Sequence, residues 1–336
     1  MKLKSIIVGL MTLAMIAPAA AETWRIQTLF PPDNINYKAL ARVADKVAVM
    51  SGGRLAFELI PVKQIVGPTG TLEAVRNGII DGHFTWPGLW AGREPAFALV
   101  ADLPGGFPSA HEALEFYYDG PGLALTRELH AIEGLYTVGV FCVGIESLPS
   151  RVPIRGVADL EGLKVRLPGG VTSMVMAEFG VAPVKLPFSE AFSALDKGTV
   201  DAADNSSVAE NVRMGFHDSA RYAVYPGIHS APILDLSVNL SKWEALPDDL
   251  KAIVETAMHS VAEASMYTRD KADRKVVREI RSGQYDIELL DWPRAERLAF
   301  RKRAKQIWLQ YGENSPMAKK VAAAQISFLQ DYGLLE

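Results

Sequence analysis

One cysteine, Cys142, is all that this 336-residue chain contains. An intramolecular disulfide and a cage of thiolates around a metal are therefore excluded. A catalytic thiol needs a partnered base, and Val140-Phe141-Cys142-Val143-Gly144 offers none, so the residue reads as a buried inert thiol. The chain also lacks a Gly-x-Ser-x-Gly elbow, a His-Glu-x-x-His pair, a phosphate loop and a Gly-x-Gly-x-x-Gly turn after a strand, so no common catalytic or nucleotide motif points to an enzyme. Its six histidines, at 83, 111, 130, 217, 229 and 259, are scattered, with no two at metal-ligand spacing on one helix. An excess of basic charge is missing as well: 35 Lys and Arg face 39 Asp and Glu. That balance argues against nucleic acid or anionic lipid as a partner.

The only long apolar run lies at the start. Lys2 and Lys4 precede Ser5 to Ile16, followed by Pro18 and Ala19-Ala20-Ala21, the layout of a secretory signal peptide over residues 1–21. The run is shorter than the ~20 residues needed to span a bilayer, so cleavage after Ala21 and a free periplasmic protein without stable membrane insertion are expected. Loss of Lys2 and Lys4 would leave 33 basic against 39 acidic residues, a net charge of −6.

A phrase then occurs twice, 120 residues apart: Leu72 to Phe84 and Phe192 to Asp204 share an Ala, an apolar residue and Gly-x-φ-Asp, where φ is apolar. Each copy reads as a helix end, a glycine cap and a short buried strand ending at an acidic turn. Around each copy the pattern is strand, helix, strand, helix, strand, so the fold class is α/β, with two similar lobes built on parallel or mixed sheets. Lobe I is expected over 22–139 and lobe II over 140–235. Residues 236–336 supply a crossover strand, a long lobe-spanning helix and C-terminal helices packing on both lobes. That helix is marked by the stripe Leu250, Ile253, Val254, Ala257, Val261, Ala264, Ala272, Val276 and Ile280. The apolar runs 138–144 and 236–239 are candidate hinge strands between the lobes.

Ligands of parallel sheets bind beyond the carboxyl ends of the strands. The 120-residue offset therefore sets Phe84-Thr85-Trp86 against Asp204-Asn205-Ser206, an aromatic wall facing a polar one. Strand alternation puts Val165 and Leu167 on one face and Arg166 on the other, where a guanidinium can hold a carboxylate through two parallel hydrogen bonds. A surface arginine in a structural salt bridge is the alternative. Trp86, Trp90 and Phe188 either line an apolar subsite or pack in the core. His83, after Asp81-Gly82, either faces the cleft or is a surface or structural histidine.

Five stretches, taken in order, carry a family resemblance: the leader, Trp24-Arg-Ile-Gln-Thr28, 157–169 around Leu163-Lys-Val-Arg166-Leu-Pro-Gly169, 186–201, and Ser241-Lys-Trp-Glu-Ala-Leu-Pro-Asp-Asp-Leu250. Together they resemble the solute-receptor subunit of tripartite ATP-independent periplasmic (TRAP) transporters. The resemblance implies a two-lobed periplasmic-binding-protein-like receptor that closes over a small organic acid and delivers it to a sodium-coupled TRAP membrane permease. It implies that Arg166 pairs with the ligand carboxylate, that Asn205 is a ligand hydrogen-bonder, and that Phe141 and Glu146 lie where relatives place cleft residues. Glu146 would be the resting counter-ion of Arg166 or touch a ligand hydroxyl or amine. In the branch that resembles 2-oxo acid receptors, a carboxylate at Asp204 helps to hold a Na or Ca ion beside the ligand. Tyr225-Pro-Gly-Ile-His-Ser230 resembles that branch's aromatic-Pro-Gly stretch, with Ile228-His229 where paired tryptophans are common. A secreted enzyme acting on small carboxylates and a receptor feeding a signalling partner are the competing functions.

Overall fold

The computed structural model describes residues 21–335. Two sheets organise it. The first has the order β2-β1-β3-β10-β4, from β1 (Glu22–Thr28), β2 (Leu55–Ile60), β3 (Gly82–Thr85), β4 (Leu135–Cys142) and, much later in the chain, β10 (Ile233–Asn239). The second has the order β11-β9-β5-β8-β6-β7, from β5 (Leu148–Ser150), β6 (Lys164–Leu167), β7 (Ala182–Lys185), β8 (Ala202–Ala203), β9 (Tyr222–Val224) and β11 (Glu288–Leu290). In each sheet the repeated unit is parallel: β1 pairs with β2 and β3, and β6 pairs with β7 and β8. Antiparallel strands then join them, β10 between β3 and β4, and β5 between β8 and β9. The sheets are therefore mixed, and the mixture comes from the strands on which the chain passes from one sheet to the other.

The duplicated phrase has a mechanical role. Gly78 and Gly198 adopt φ of +70° and +68°, a conformation that a side chain would strain. This lets the amide nitrogens of Ile79 and Thr199 bond the carbonyls of Ala74 and Ala194 at 2.8 and 2.9 Å. Asp81 Oδ2 then accepts the Arg25 amide of β1 at 2.6 Å, and Asp201 Oδ2 accepts the Lys164 amide of β6 at 2.8 Å. Each aspartate pins the next strand beside its neighbour. The sequence reading placed the strand before the aspartate. Pairing in fact starts after it, at Gly82 and Ala202, because the residues following the glycine are consumed in closing the helix cap.

Alternation along β3 sorts its side chains. Phe84 enters a core with Trp24, Ile26, Phe141, Leu236 and Met258, while His83 enters the opposite layer against Trp90. The 34-residue helix Asp248–Arg281 runs past both lobes; at ~1.5 Å per residue it approaches 50 Å. It packs on the helix Ile35–Met50 and β4 in the first lobe and on Val208–Arg213 in the second. Two buried residues one turn apart make the joint: Arg269 donates to Asn36 and to the Val143 carbonyl, while Asp273 Oδ1 accepts Ser207 Oγ and the Ala209 amide. The helices Arg294–Gly312 and Pro316–Asp331 cover Gly170–Ala177 and Ala96–Ala101 respectively, one in each lobe. No helix among the described residues is long and apolar enough to cross a membrane. The proposed leader lies, but for Ala21, outside the described residues.

Candidate functional site

Arg166 stands on β6 between Val165 and Leu167, both fully buried in the core, and its own side chain is only 5% exposed. Its Nε donates to the Leu186 carbonyl at 3.1 Å and Nη1 to the Asp204 carbonyl, which orients the guanidinium. Nη2 meets no acceptor, and no carboxylate comes within ion-pair distance of the side chain among the described residues. The guanidinium is thus held by main-chain carbonyls without a direct ion pair, while its charge helps to hold the nearby Asp204 carboxyl below its ordinary value. The structural salt bridge entertained from sequence is absent.

Beside it, Glu146, Asp204 and His229 are buried, and one donor atom from each lies within 4.8 Å of the others. Their positions follow from three chain segments. Asp204 follows β8 and its amide bonds the Arg166 carbonyl at 3.0 Å. Glu146 follows β4, and its amide bonds the Ser230 carbonyl at 3.0 Å. His229 reaches the cluster through Gly227, where a Cβ would sit 1.9 Å from the Glu146 carbonyl oxygen, so only glycine lets the two strands approach.

The charges are distributed unevenly. Burial, and then the neighbouring Asp204, raise the Glu146 carboxyl well above the usual range. Burial would also raise Asp204, but its interactions with Glu146, with His229, whose Nε2 lies 3.6 Å from Oδ1, and with the Arg166 charge outweigh it and hold the group below its ordinary value. Glu146 therefore stands against Asp204 and makes no ion pair with Arg166, whose charge nevertheless pulls its carboxyl down. Behind the cluster, Asp102 accepts Ser230 Oγ at 2.6 Å, the Ala231 amide at 3.1 Å and Thr172 Oγ1 at 3.3 Å. Burial pushes its carboxyl up to about 6, against the opposing pull of the Ser230 bond.

Asn205 is buried and donates through Nδ2 to Asn211 Oδ1 at 2.9 Å, leaving Oδ1 without a partner. Asn211 in turn donates to the Ser147 and Ser206 carbonyls, so the amide pair is fixed from below. Trp86 follows β3, and its Nε1 is buried without a partner. Phe188 sits just past Leu186, the acceptor of Arg166 Nε, and is 44% exposed. Trp90 is in the core, stacked on His83 with ring centroids 4.9 Å apart. Phe141 is in the core too, edge-on to Phe84 at 5.2 Å. Cys142 is buried, and burial pushes its thiol up to about 12.

The structure therefore brings Arg166, Glu146, Asp204 and Asn205 into one region, and adds His229, Asp102 and Ser230, to which the sequence reading gave no role. Ile228-His229 had been visible as a departure from paired tryptophans. That substitution was the available signal.

The chain is similar to several known proteins. A monocarboxylate 2-oxoacid-binding periplasmic protein of Nostoc sp. is 30% identical over 236 residues, covering 70% of this chain and 64% of that protein. The apo, open crystal structure of a TRAP periplasmic solute-binding protein from Rhodobacter sphaeroides is 37% identical, covers 94% of this chain and 99% of its own, and has a TM-score of 0.82. A TRAP transporter solute-binding protein from Bordetella bronchiseptica, described with copurified calcium and picolinate in its active site, is 26% identical, covers 94% and 93% of the two chains, and has a TM-score of 0.81. With residues 26–314 matching the model of the bacterial extracellular solute-binding proteins of family 7, the chain belongs to that family, as a TRAP periplasmic solute receptor.

Proposed function

We propose that this receptor captures a small monocarboxylate that carries a second donor atom next to its carboxyl group, a 2-oxo acid being the simplest. The observation that carries the reading is the buried, unpaired guanidinium of Arg166. An anionic ligand supplies the charge and the acceptors that Arg166 lacks, and a carboxylate can take Nη2 in a charge-assisted hydrogen bond. Asn205 Oδ1 is a waiting acceptor for a ligand hydroxyl or amide, and Trp86 Nε1 a waiting donor.

A cation fits beside that ligand. Glu146 and Asp204 are two buried carboxyl groups close enough that they disfavour ionising together, an arrangement that a Na or Ca ion between them would relieve. Glu146 and Asp204 would hold it, while His229 orients Asp204. Such an ion would supply positive charge to bind the ligand's second donor atom. Picolinate and 2-oxo acids, named for two relatives, both place that atom where it closes a five-membered chelate ring with the carboxylate.

Closure is driven by differential contact: a ligand that bridges Arg166 and Asn205 in the second lobe and Trp86 in the first stabilises the closed form over the open one. The closed receptor then hands its ligand to a membrane permease. The proposed role is capture without turnover, in the periplasm after removal of residues 1–21.

The test is a thermal-shift screen of small organic acids with and without chelator, followed by calorimetry on Arg166→Ala. Truncating one partner of a desolvated charge pair costs ~2–5 kcal/mol, so affinity should fall roughly 30-fold to several-thousand-fold. Parental affinity in Arg166→Ala would refute the anchor, and turnover of the ligand would refute a pure receptor.

A further inference from the structure

Behind the first lobe's sheet lies a second acid–histidine cluster that the cleft does not use. His83 of β3, His130 of the helix Gly122–Ile132 and Asp235 of β10 are fully buried, and one donor atom from each lies within 4.8 Å of the others. His130 Nδ1 lies 3.1 Å from the Thr126 carbonyl. A carbonyl can only accept, so Nδ1 carries a hydrogen. Nε2 lies 3.4 Å from Asp235 Oδ2, too far for a good hydrogen bond, and has no hydrogen-bond partner.

His83 Nε2 faces the same oxygen at 3.9 Å. Neither His83 ring nitrogen makes a hydrogen bond of normal geometry, and the Thr71 backbone adds only a weak partner. Asp235 Oδ1, His130 Nε2 and Thr85 Oγ1 are also buried and unpartnered. So many orphaned polar atoms in one place are costly unless something binds them.

We propose that His83, His130 and Asp235 form a buried structural site for a divalent transition-metal cation of the zinc type. Two donors each ~2.0–2.1 Å from one tetrahedral ion lie roughly 3.3–3.5 Å apart. The 3.4 Å between His130 and Asp235 meets this, and His83, 3.9 Å from the same oxygen, would close in by about half an ångström on binding. Two imidazoles and a carboxylate are the donor set of a borderline metal and not of sodium or calcium. Donation of the remote His130 Nδ1–H to a carbonyl is the outer contact that metal-bound histidines make, and Ser237 Oγ donates to Asp235 Oδ2 in the same way. Thr85, opposite Asp235 in the ladder, offers a hydroxyl for the fourth position.

The site would tie β3 to β10 and to the helix Gly122–Ile132, directly behind the segment carrying Trp86, because Trp90 stacks on His83. With every ligand at zero exposure, the metal would enter as the chain folds and would not exchange with chelator in the native state.

Elemental analysis of the full mature chain tests this. The expected result is about one equivalent of a transition metal per chain, retained on dialysis of the native protein against EDTA and released on unfolding in guanidinium with EDTA. Refolding with cobalt(II) should give the visible absorption of tetrahedral nitrogen and oxygen coordination. Asp235→Asn and His130→Gln should lose the metal, whereas Asp204→Ala should keep it. Absence of metal from the purified chain, together with no uptake of zinc or cobalt(II) on refolding of the parent, would overturn the proposal, and that arm needs no variant to fold. Metal lost with Asp204→Ala but kept in Asp235→Asn would assign it to the cleft and equally overturn the site.

Discussion

The two buried clusters of this chain use the same residue types for different ends. In the first lobe, His83, His130 and Asp235 are sealed between a sheet and a helix, with no cationic side chain among them. At the cleft, His229, Glu146 and Asp204 stand beside an arginine whose charge is unpaired, and the segments carrying them come from both antiparallel crossings and the end of β8. Burial of titratable groups thus does not by itself mark an organic-ligand site. What separates the two is an arginine without an ion pair near the carboxyl end of a parallel strand.

The contrast can be broken from either side. The largest effect is expected in the first lobe, where Phe141→Ala should lower stability by about 3–5 kcal/mol through the cavity left against Phe84. Denaturant unfolding reads this, and ligand affinity of the folded fraction should be unchanged; a selective loss of affinity would return Phe141 to the ligand wall. Next is Asp102, whose folded carboxyl titrates near 6 against an ordinary 3.8. A raised carboxylate contributes stability below its unfolded value and loses it as pH rises through the folded one. Parent stability should therefore fall between about pH 4 and 6 by up to ~3 kcal/mol, and Asp102→Asn should gain that much relative to the parent over the same window. A pH-independent difference between the two proteins would contradict the assignment.

Asn205→Ala should weaken ligand binding by roughly tenfold, the cost of one buried hydrogen bond, measurable by calorimetry at the same pH. The smallest effects compare the two pins. Asp81→Asn and Asp201→Asn should each cost about 1 kcal/mol, with Asp81 the costlier because it is buried and also pairs with Lys242. Equal losses would mean that the Lys242 contact contributes nothing.

Much of the fold was legible because local signals and tertiary needs agree. The two parallel units, the glycine caps, the inward Val165 and Leu167 and the long helix all rest on periodicities of 2 and 3.6 residues. The strand starts after Asp81 and Asp201 were missed because apolar residues such as Ile80 and Val200 are buried equally well in a cap or a ladder. At the site, Asp204 and Asn205 follow β8 and could be found by the 120-residue offset, and Arg166 by alternation along β6. Asp102 and His229 could not, since each reaches the cleft through a loop whose path depends on non-local contacts such as Gly227 against Glu146.

The sequence by itself determined the duplicated α/β unit, the single cysteine and the place of Arg166 between inward-facing Val165 and Leu167. These depend on residue identity and near-neighbour spacing. Only the tertiary structure decided that Glu146 stands against Asp204 with Arg166 outside ion-pair distance, and that Asp235 meets His83 and His130 across more than 100 residues of chain. Protonation and pairing depend on distance and burial in three dimensions, which no linear spacing encodes.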